Sequence, residues 1–302
     1  MILTQQLKEN IITAIQADFD RKKAQDSNQN YARHANYLGL DSSRYSRIVG
    51  GQTEKILSEG EWVRIGMELL VNLQGLDWQT ADTPTTQMIT TQLDYCKDNS
   101  MSAIFCDDKG IGKSYTAKVF KLENANVCFV DCSQNHTKRE MIRAIARGFG
   151  FDWKGKLKDI KTNMVYNILA LDRPILILDE AGDLSYEAWL EIKSLWNSLE
   201  GMCGFYMLGA NGLKAKIDRH ISNYKVGYEE IFDRFGDRYQ AITKDLGDAE
   251  KIAFKREQAL AVLRVNLPGL TASVENSILS ACNLNLRRLQ IEIIKYKNAQ
   301  MN

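Results

Sequence analysis

Histidine is nearly absent: His34, His136 and His220 are the only three. The six cysteines, Cys96, Cys106, Cys128, Cys132, Cys203 and Cys282, include no C-x-x-C pair. Neither residue type is spaced as a zinc site requires. Cys106 and Cys128 fall in apolar, strand-like runs, where a reduced cysteine behaves as a small hydrophobe. These points predict a reduced, cytoplasmic protein without structural metal. No apolar run approaches the roughly 20 residues of a membrane span. The start, Met1-Ile2-Leu3-Thr4-Gln5-Gln6, lacks the basic stretch and apolar run of a signal peptide. No membrane partner is therefore expected. Net charge is missing too. With 39 basic and 38 acidic residues the sum is +1, so any basic surface for nucleic acid must be local.

The composition that remains is ordinary for a globular chain, 44% hydrophobic and 25% charged, over a length that suits two or three domains. Residues 1–73 read as short helices with tight turns. Residues 74–87 are polar and carry Gly75, Pro84 and a threonine run, which reads as a linker. In residues 88–244, β-rich runs alternate with amphipathic helices, which predicts an α/β domain on a parallel five-stranded sheet. Residues 245–302 read as all helical. The expected strands are Ser102–Cys106, Val127–Asp131, Ile175–Leu178, Phe205–Leu208 and Tyr239–Thr243. Four of them are near-continuous apolar runs, as strands covered on both faces should be. Thr137 and Glu140 form a capping box. Ser185 starts and Gly201 ends a helix with Trp189, Ile192, Trp196 and Leu199 on one face.

Cys106 is followed by Asp107-Asp108-Lys109-Gly110-Ile111-Gly112-Lys113-Ser114-Tyr115, and a helix pattern starts at once. A P-loop has the form G-x-x-x-x-G-K-[ST] between a strand and a helix. Here Gly112, Lys113 and Ser114 match, and Asp107 stands where the first glycine belongs. Glycines let backbone N–H groups wrap phosphates, and the helix N-terminus adds its positive dipole end. Lys113 would reach the β- and γ-phosphates of ATP, and the Ser114 hydroxyl would ligate Mg²⁺. A carboxylate at Asp107 is unfavourable there unless it points away. The run Ile175-Leu176-Ile177-Leu178-Asp179-Glu180 supplies the partner motif. Asp179 would hold the Mg²⁺, and Glu180 would polarise the attacking water. Asn211, after the next strand, can orient that water or simply cap a helix.

From about Met88 onward these residues resemble the AAA+ ATPases. Lys113 and Ser114 match Walker A, Asp179 and Glu180 Walker B, and Asn211 sensor 1. The resemblance implies a helical lid after the core. In the lid, Asn285-Leu286-Arg287-Arg288-Leu289 looks like sensor 2, with Arg287 as its arginine. It also implies an arginine supplied in trans from a neighbouring subunit. Arg234 is the first choice for that role, and Arg238 the runner-up. Catalysis is thus expected from Glu180, Lys113, Asn211, Arg234 and Arg287. ATP is expected against residues 108–115, that is Asp108, Lys109, Gly110, Ile111, Gly112, Lys113, Ser114 and Tyr115, together with Asp179 and Arg287.

Residues 30–51 read as two short helices about a turn at Gly39, with Ala35, Leu38, Leu40, Tyr45 and Ile48 facing inward and Asp41 or Ser42 as cap. The spacing resembles the phage-repressor helix-turn-helix. That resemblance would offer Ser43, Arg44, Ser46 and Arg47 to double-stranded DNA. In the core, Lys138 and Arg139, with Lys154, Lys156 and Lys158, could track a DNA backbone or could be solvated lysines. A helix-turn-helix, a minimal AAA+ core and a short basic lid resemble the family of the phage Mu B transposition protein (MuB). The implied role is ATP-dependent assembly on DNA as a ring or helical filament, with target selection and activation of a DDE-type transposase. A nucleotide-gated transcription regulator and a helicase loader are the alternatives.

Overall fold

The computed structural model describes residues 3–73 and 78–301. Gln74 and Gly75, on which part of the linker reading rests, lie outside the described residues, as do Met1 and Ile2.

The chain begins with a helical module. α1 (Gln5–Gln25) has 21 residues, far longer than the short helices expected there. α2 (Tyr31–Tyr37), α3 (Ser42–Val49) and α4 (Glu59–Glu68) are short. Side chains start them: Asn30 accepts from the Arg33 N–H, Asp41 accepts from the Arg44 N–H, and Ser58 and Glu61 form a reciprocal capping box. Gly39 turns the chain between α2 and α3 at φ +70°, where a side chain would be strained. Ala35, Leu38, Leu40, Tyr45 and Ile48 are all buried, in one cluster with Ile11, Ile15 and Trp62.

α5 (Pro84–Asn99) opens the α/β domain. Pro84 to Gln87 form its first turn rather than a linker. Thr83 caps that turn, and proline is pre-set for the first helical position. Then come β1 (Ser102–Cys106), α6 (Lys113–Glu123), β2 (Val127–Asp131), α7 (Lys138–Gly148), α8 (Leu157–Leu169) and β3 (Ile175–Asp179). They are followed by α9 (Tyr186–Leu199), β4 (Gly204–Gly209), α10 (Asn211–Ser222), α11 (Tyr228–Arg234) and β5 (Tyr239–Gln240). The five-stranded sheet is parallel, in the order β2-β3-β4-β1-β5. Alternation along each strand feeds two layers. Ile104, Leu176, Leu178, Phe205 and Met207 pack with the helices from α7 to α11, while Phe105, Ile177, Tyr206 and Leu208 pack with α5 and α6. β5 stops short of the expected Thr243, because the Ile242 and Thr243 N–H groups bond to the Asp107 carboxylate and not to a strand.

α12 (Asp248–Asn266), α13 (Ala272–Cys282) and α14 (Leu286–Met301) form the lid, with its own core around Leu263, Leu279, Leu289 and Ile293. Trp78 and Ala81 join that core from the segment ahead of α5. The Asn266 amide fixes the segment by bonding both the N–H (2.9 Å) and the carbonyl (3.0 Å) of Gln79. No helix of the described residues is long and apolar enough to cross a membrane.

The N-terminal module is bolted to the core through polar groups. Arg33 donates to the Phe149 carbonyl (3.0 Å) and the Asn126 side chain (2.8 Å). Lys121, on the last turn of α6, pairs with Glu68 at 2.8 Å. Beneath this seam lies a buried chain of charge. His34 Nε2 is 2.9 Å from Asp18, and Nδ1 is 2.7 Å from the Tyr45 hydroxyl. An ionised Asp18 only accepts, so Nε2 donates to it and the Nδ1 of neutral His34 accepts a hydrogen bond from the Tyr45 hydroxyl. Burial would push the Asp18 carboxyl up, but the hydrogen bond from His34 and the charge of Lys22 outweigh it and hold it at about 2. The folded value therefore lies below the unfolded one, so the stabilisation is complete above 3.8 and is lost as pH falls through about 2. Asp18→Asn is expected to cost about 2 kcal/mol at neutral pH. Its urea midpoint should converge with that of wild type in strong acid, and a gap that persists there contradicts the assignment.

Candidate nucleotide site

The loop between β1 and α6 sits at the carboxyl ends of the strands, where parallel sheets bind ligands. Gly110 and Gly112 have φ of +78° and +101°, which turns the loop so that Gly112 caps α6 without any side chain in the way. A side chain at Gly110 would also collide with Asn285 of the lid. Lys113 begins α6, 8% exposed, and its ammonium donates to the carbonyls of Asp107 (2.8 Å) and Asp108 (2.6 Å). Burial lowers its pKa, and the nearby charges of Asp107, Glu180 and Asp179 partly offset this.

The Asp107 carboxylate points away from the cleft. It is 2% exposed and accepts from the N–H groups of Asp108 (2.7 Å), Ile242 (2.6 Å) and Thr243 (3.0 Å), and from the Thr243 hydroxyl. Asp108 turns the other way. It pairs with Lys255 of α12 at 2.6 Å, which holds its pKa low, and accepts a longer bond from Asn211 at 3.4 Å. α14 closes on the same loop, with the Leu286 N–H donating to the Gly110 carbonyl at 3.1 Å.

β4 lies between β1 and β3, so the tip of β4 stands between the loop and Asp179. Asp179 ends β3, 5% exposed, and accepts a hydrogen bond from Ser114. Burial pushes its carboxyl up to about 6, against that hydrogen bond. Glu180 is exposed and adopts φ +49°, a left-handed conformation costly for a residue with a side chain. The loop that imposes it is held from α10. Lys216 donates to the carbonyls of Gly182 (2.7 Å) and Leu184 (2.8 Å). Asn211 is not a helix cap. Ala210 occupies that position, which frees the Asn211 amide to face Asp108.

These groups border a cleft of about 380 Å³, lined by Lys109, Gly110, Gly112, Lys113, Ser114, Tyr115, Glu180 and Arg287. Its volume falls in the range of small-molecule sites. The opposite wall is Leu70, Trp78, Ala81, Val262 and Leu286. Sequence reasoning missed this wall. Trp78 in an otherwise polar segment was the one signal for it. Leu70 follows α4, so the N-terminal module reaches the cleft directly.

The arginines separate. Arg287 is exposed on α14 and lines the cleft. Arg234 is held within its own subunit, bonded to Asn197 (3.0 Å) and the Glu230 carbonyl (2.6 Å) and stacked over Trp196. Arg238 is exposed and hydrogen-bonds to nothing among the described residues. The candidate DNA residues also divide. Ser43, Ser46 and Arg47 are exposed on α3, but Arg44 is clamped by Asp41 and Glu61, each at 2.7 Å. Lys138 pairs with the buried Glu191 at 2.7 Å, whereas Arg139, Lys154, Lys156 and Lys158 are exposed.

A family model described as AAA domain matches residues 97–216, which hold the loop, Asp179, Glu180 and Asn211. The fold is the AAA+ fold. Among solved structures, Cdc6p from Pyrobaculum aerophilum is similar, with a TM-score of 0.53 and 16% identity over 75% of this chain. This chain spans 65% of that relative's length. A comparison with curated proteins finds no match.

Lys216 gives the AAA+ site a test remote from any phosphate. Lys216→Met leaves two carbonyls without their partner and loosens the Glu180 loop. Nucleotide hydrolysis is expected to fall about tenfold, with affinity changed less than about twofold. A rate equal to wild type removes the positioning role.

Proposed function

We propose that this chain is an AAA+ ATPase that binds duplex DNA and assembles on it while holding ATP. The observation that carries the reading is the convergence of Lys113, Ser114 and Glu180 on one cleft closed by the lid, with Asp179 bonded to Ser114. Backbone N–H groups of residues 110–114 and the start of α6 receive the phosphates. Lys113 and Arg287 face the charge that develops on the transferred phosphoryl group. Glu180 accepts a proton from the attacking water, and Asn211 orients that water. The Ser114 hydroxyl and the Asp179 carboxylate form an all-oxygen pair that fits Mg²⁺. When bound, that ion supplies charge neutralisation at the phosphate oxygens.

Of the two arginines considered for action on a neighbouring subunit, Arg238 is the free one and takes the role. Its delivery in trans makes hydrolysis depend on assembly. DNA contact falls to Ser43, Ser46 and Arg47 of α3 and to the exposed Arg139, Lys154, Lys156 and Lys158, since Arg44 and Lys138 are already paired with carboxylates. A helix-turn-helix-like module ahead of an AAA+ core and a short helical lid supports a role in DNA transposition, with a DDE-type transposase as partner, as in the MuB family. A second reading, a helicase loader, is compatible with the fold shared with Cdc6p.

Steady-state ATPase assays with and without duplex DNA test the proposal. Wild type should be stimulated by DNA. Lys113→Ala should lose nucleotide affinity. Glu180→Gln should bind ATP, hydrolyse it at least about a hundredfold more slowly, and form longer-lived DNA complexes. Equal turnover in all three rules the assignment out. Stimulation of strand transfer favours the transposition reading, and recruitment of a hexameric helicase favours the other.

A further inference from the structure

We propose that Asp107 is a positioning residue that ties the phosphate loop to the hinge between sheet and lid. The inference rests on the nucleotide reading above and names a control within that same site. A P-loop has glycine at this position, so the motif alone makes Asp107 a defect. The structure gives the carboxylate a task. Its oxygens face the Asp108 N–H and residues 242 and 243, away from the cleft. It is buried against residues 242 and 243, where the chain leaves β5 for the lid, and each of its oxygens takes two donors. Thr243 is itself buried.

Two further ties connect the same loop to the lid, Asp108 to Lys255 and the Gly110 carbonyl to the Leu286 N–H. The loop is thus fixed to the hinge, to α12 and to α14 at three successive points. Val262, Leu286 and Arg287 approach the cleft from these lid helices. Loop shape and lid position therefore change together. Asp107→Gly restores the motif but strands the N–H groups of Ile242 and Thr243 in a buried site, and the hinge must open to rehydrate them.

Equilibrium binding of N-methylanthraniloyl-ATP, with single-turnover hydrolysis and amide exchange, tests the inference. Asp107→Gly should weaken binding about tenfold, and its saturated single-turnover rate should change less than about threefold, because Glu180 and Lys113 are untouched. The Ile242 and Thr243 amides should exchange faster without nucleotide, while those of β3 stay protected. Asp107→Asn, which keeps an acceptor for the two hinge N–H groups, should recover most of the affinity. If Asp107→Gly does not fold, Thr243→Val removes one of the four donors, and its affinity should fall measurably. Wild type that fails to bind the analogue overturns the nucleotide reading itself. Wild type that binds, with Asp107→Gly or Thr243→Val binding equally well, overturns this inference alone.

Discussion

A phosphate-wrapping loop must present N–H groups on its open side and be anchored from behind. In this chain the anchor is the Asp107 carboxylate, which collects its donors from the loop itself and from the exit of β5. Much of the molecule is arranged around that requirement. Just beyond the short β5, the Ile242 and Thr243 N–H groups serve Asp107. Gly110 sits at φ +78°, where a side chain is strained, and a Cβ there would also meet the Asn285 side chain of the lid. A carboxyl group this deep needs its oxygens matched with donors.

The core strands were legible in the sequence because both faces of the sheet are covered. Their near-continuous apolar runs separate cleanly from the amphipathic helices. The five inward residues of the N-terminal module were legible for the related reason that a small helical unit has one way to bury them. Lys113, Ser114, Asp179 and Glu180 could be placed together because the motifs carry their own strand and helix context. Other features needed the fold. The partners of Asp107 lie some 135 residues along the chain, and no local pattern announces them. Arg44 looked available from its helical position, yet Glu61, on a different helix, neutralises it. Arg234 resembled a free arginine until Trp196 and Asn197 came beside it. The apolar wall of the cleft draws on the chain just after α4, the segment before α5 and two lid helices, so no single stretch of sequence displays it.

The N-terminal module touches the nucleotide domain along α6. Leu70 lines the cleft, and Glu68, two residues before it, holds Lys121 on the last turn of α6. A change in the cleft therefore meets the N-terminal module through packed side chains. Seams with buried, paired charges tend to have discrete arrangements instead of sliding. In the function proposed above, this is the route by which bound nucleotide sets whether α3 and the exposed basic residues line up along DNA.

The central claim is that ATP governs assembly on DNA. Sedimentation velocity of the full chain on a duplex of several hundred base pairs tests it most directly. With ATP and Glu180→Gln, the account predicts large, stable protein–DNA species that are lost on exchange for ADP and never form with Lys113→Ala. Particles of the same size with ATP, with ADP and without nucleotide would contradict it.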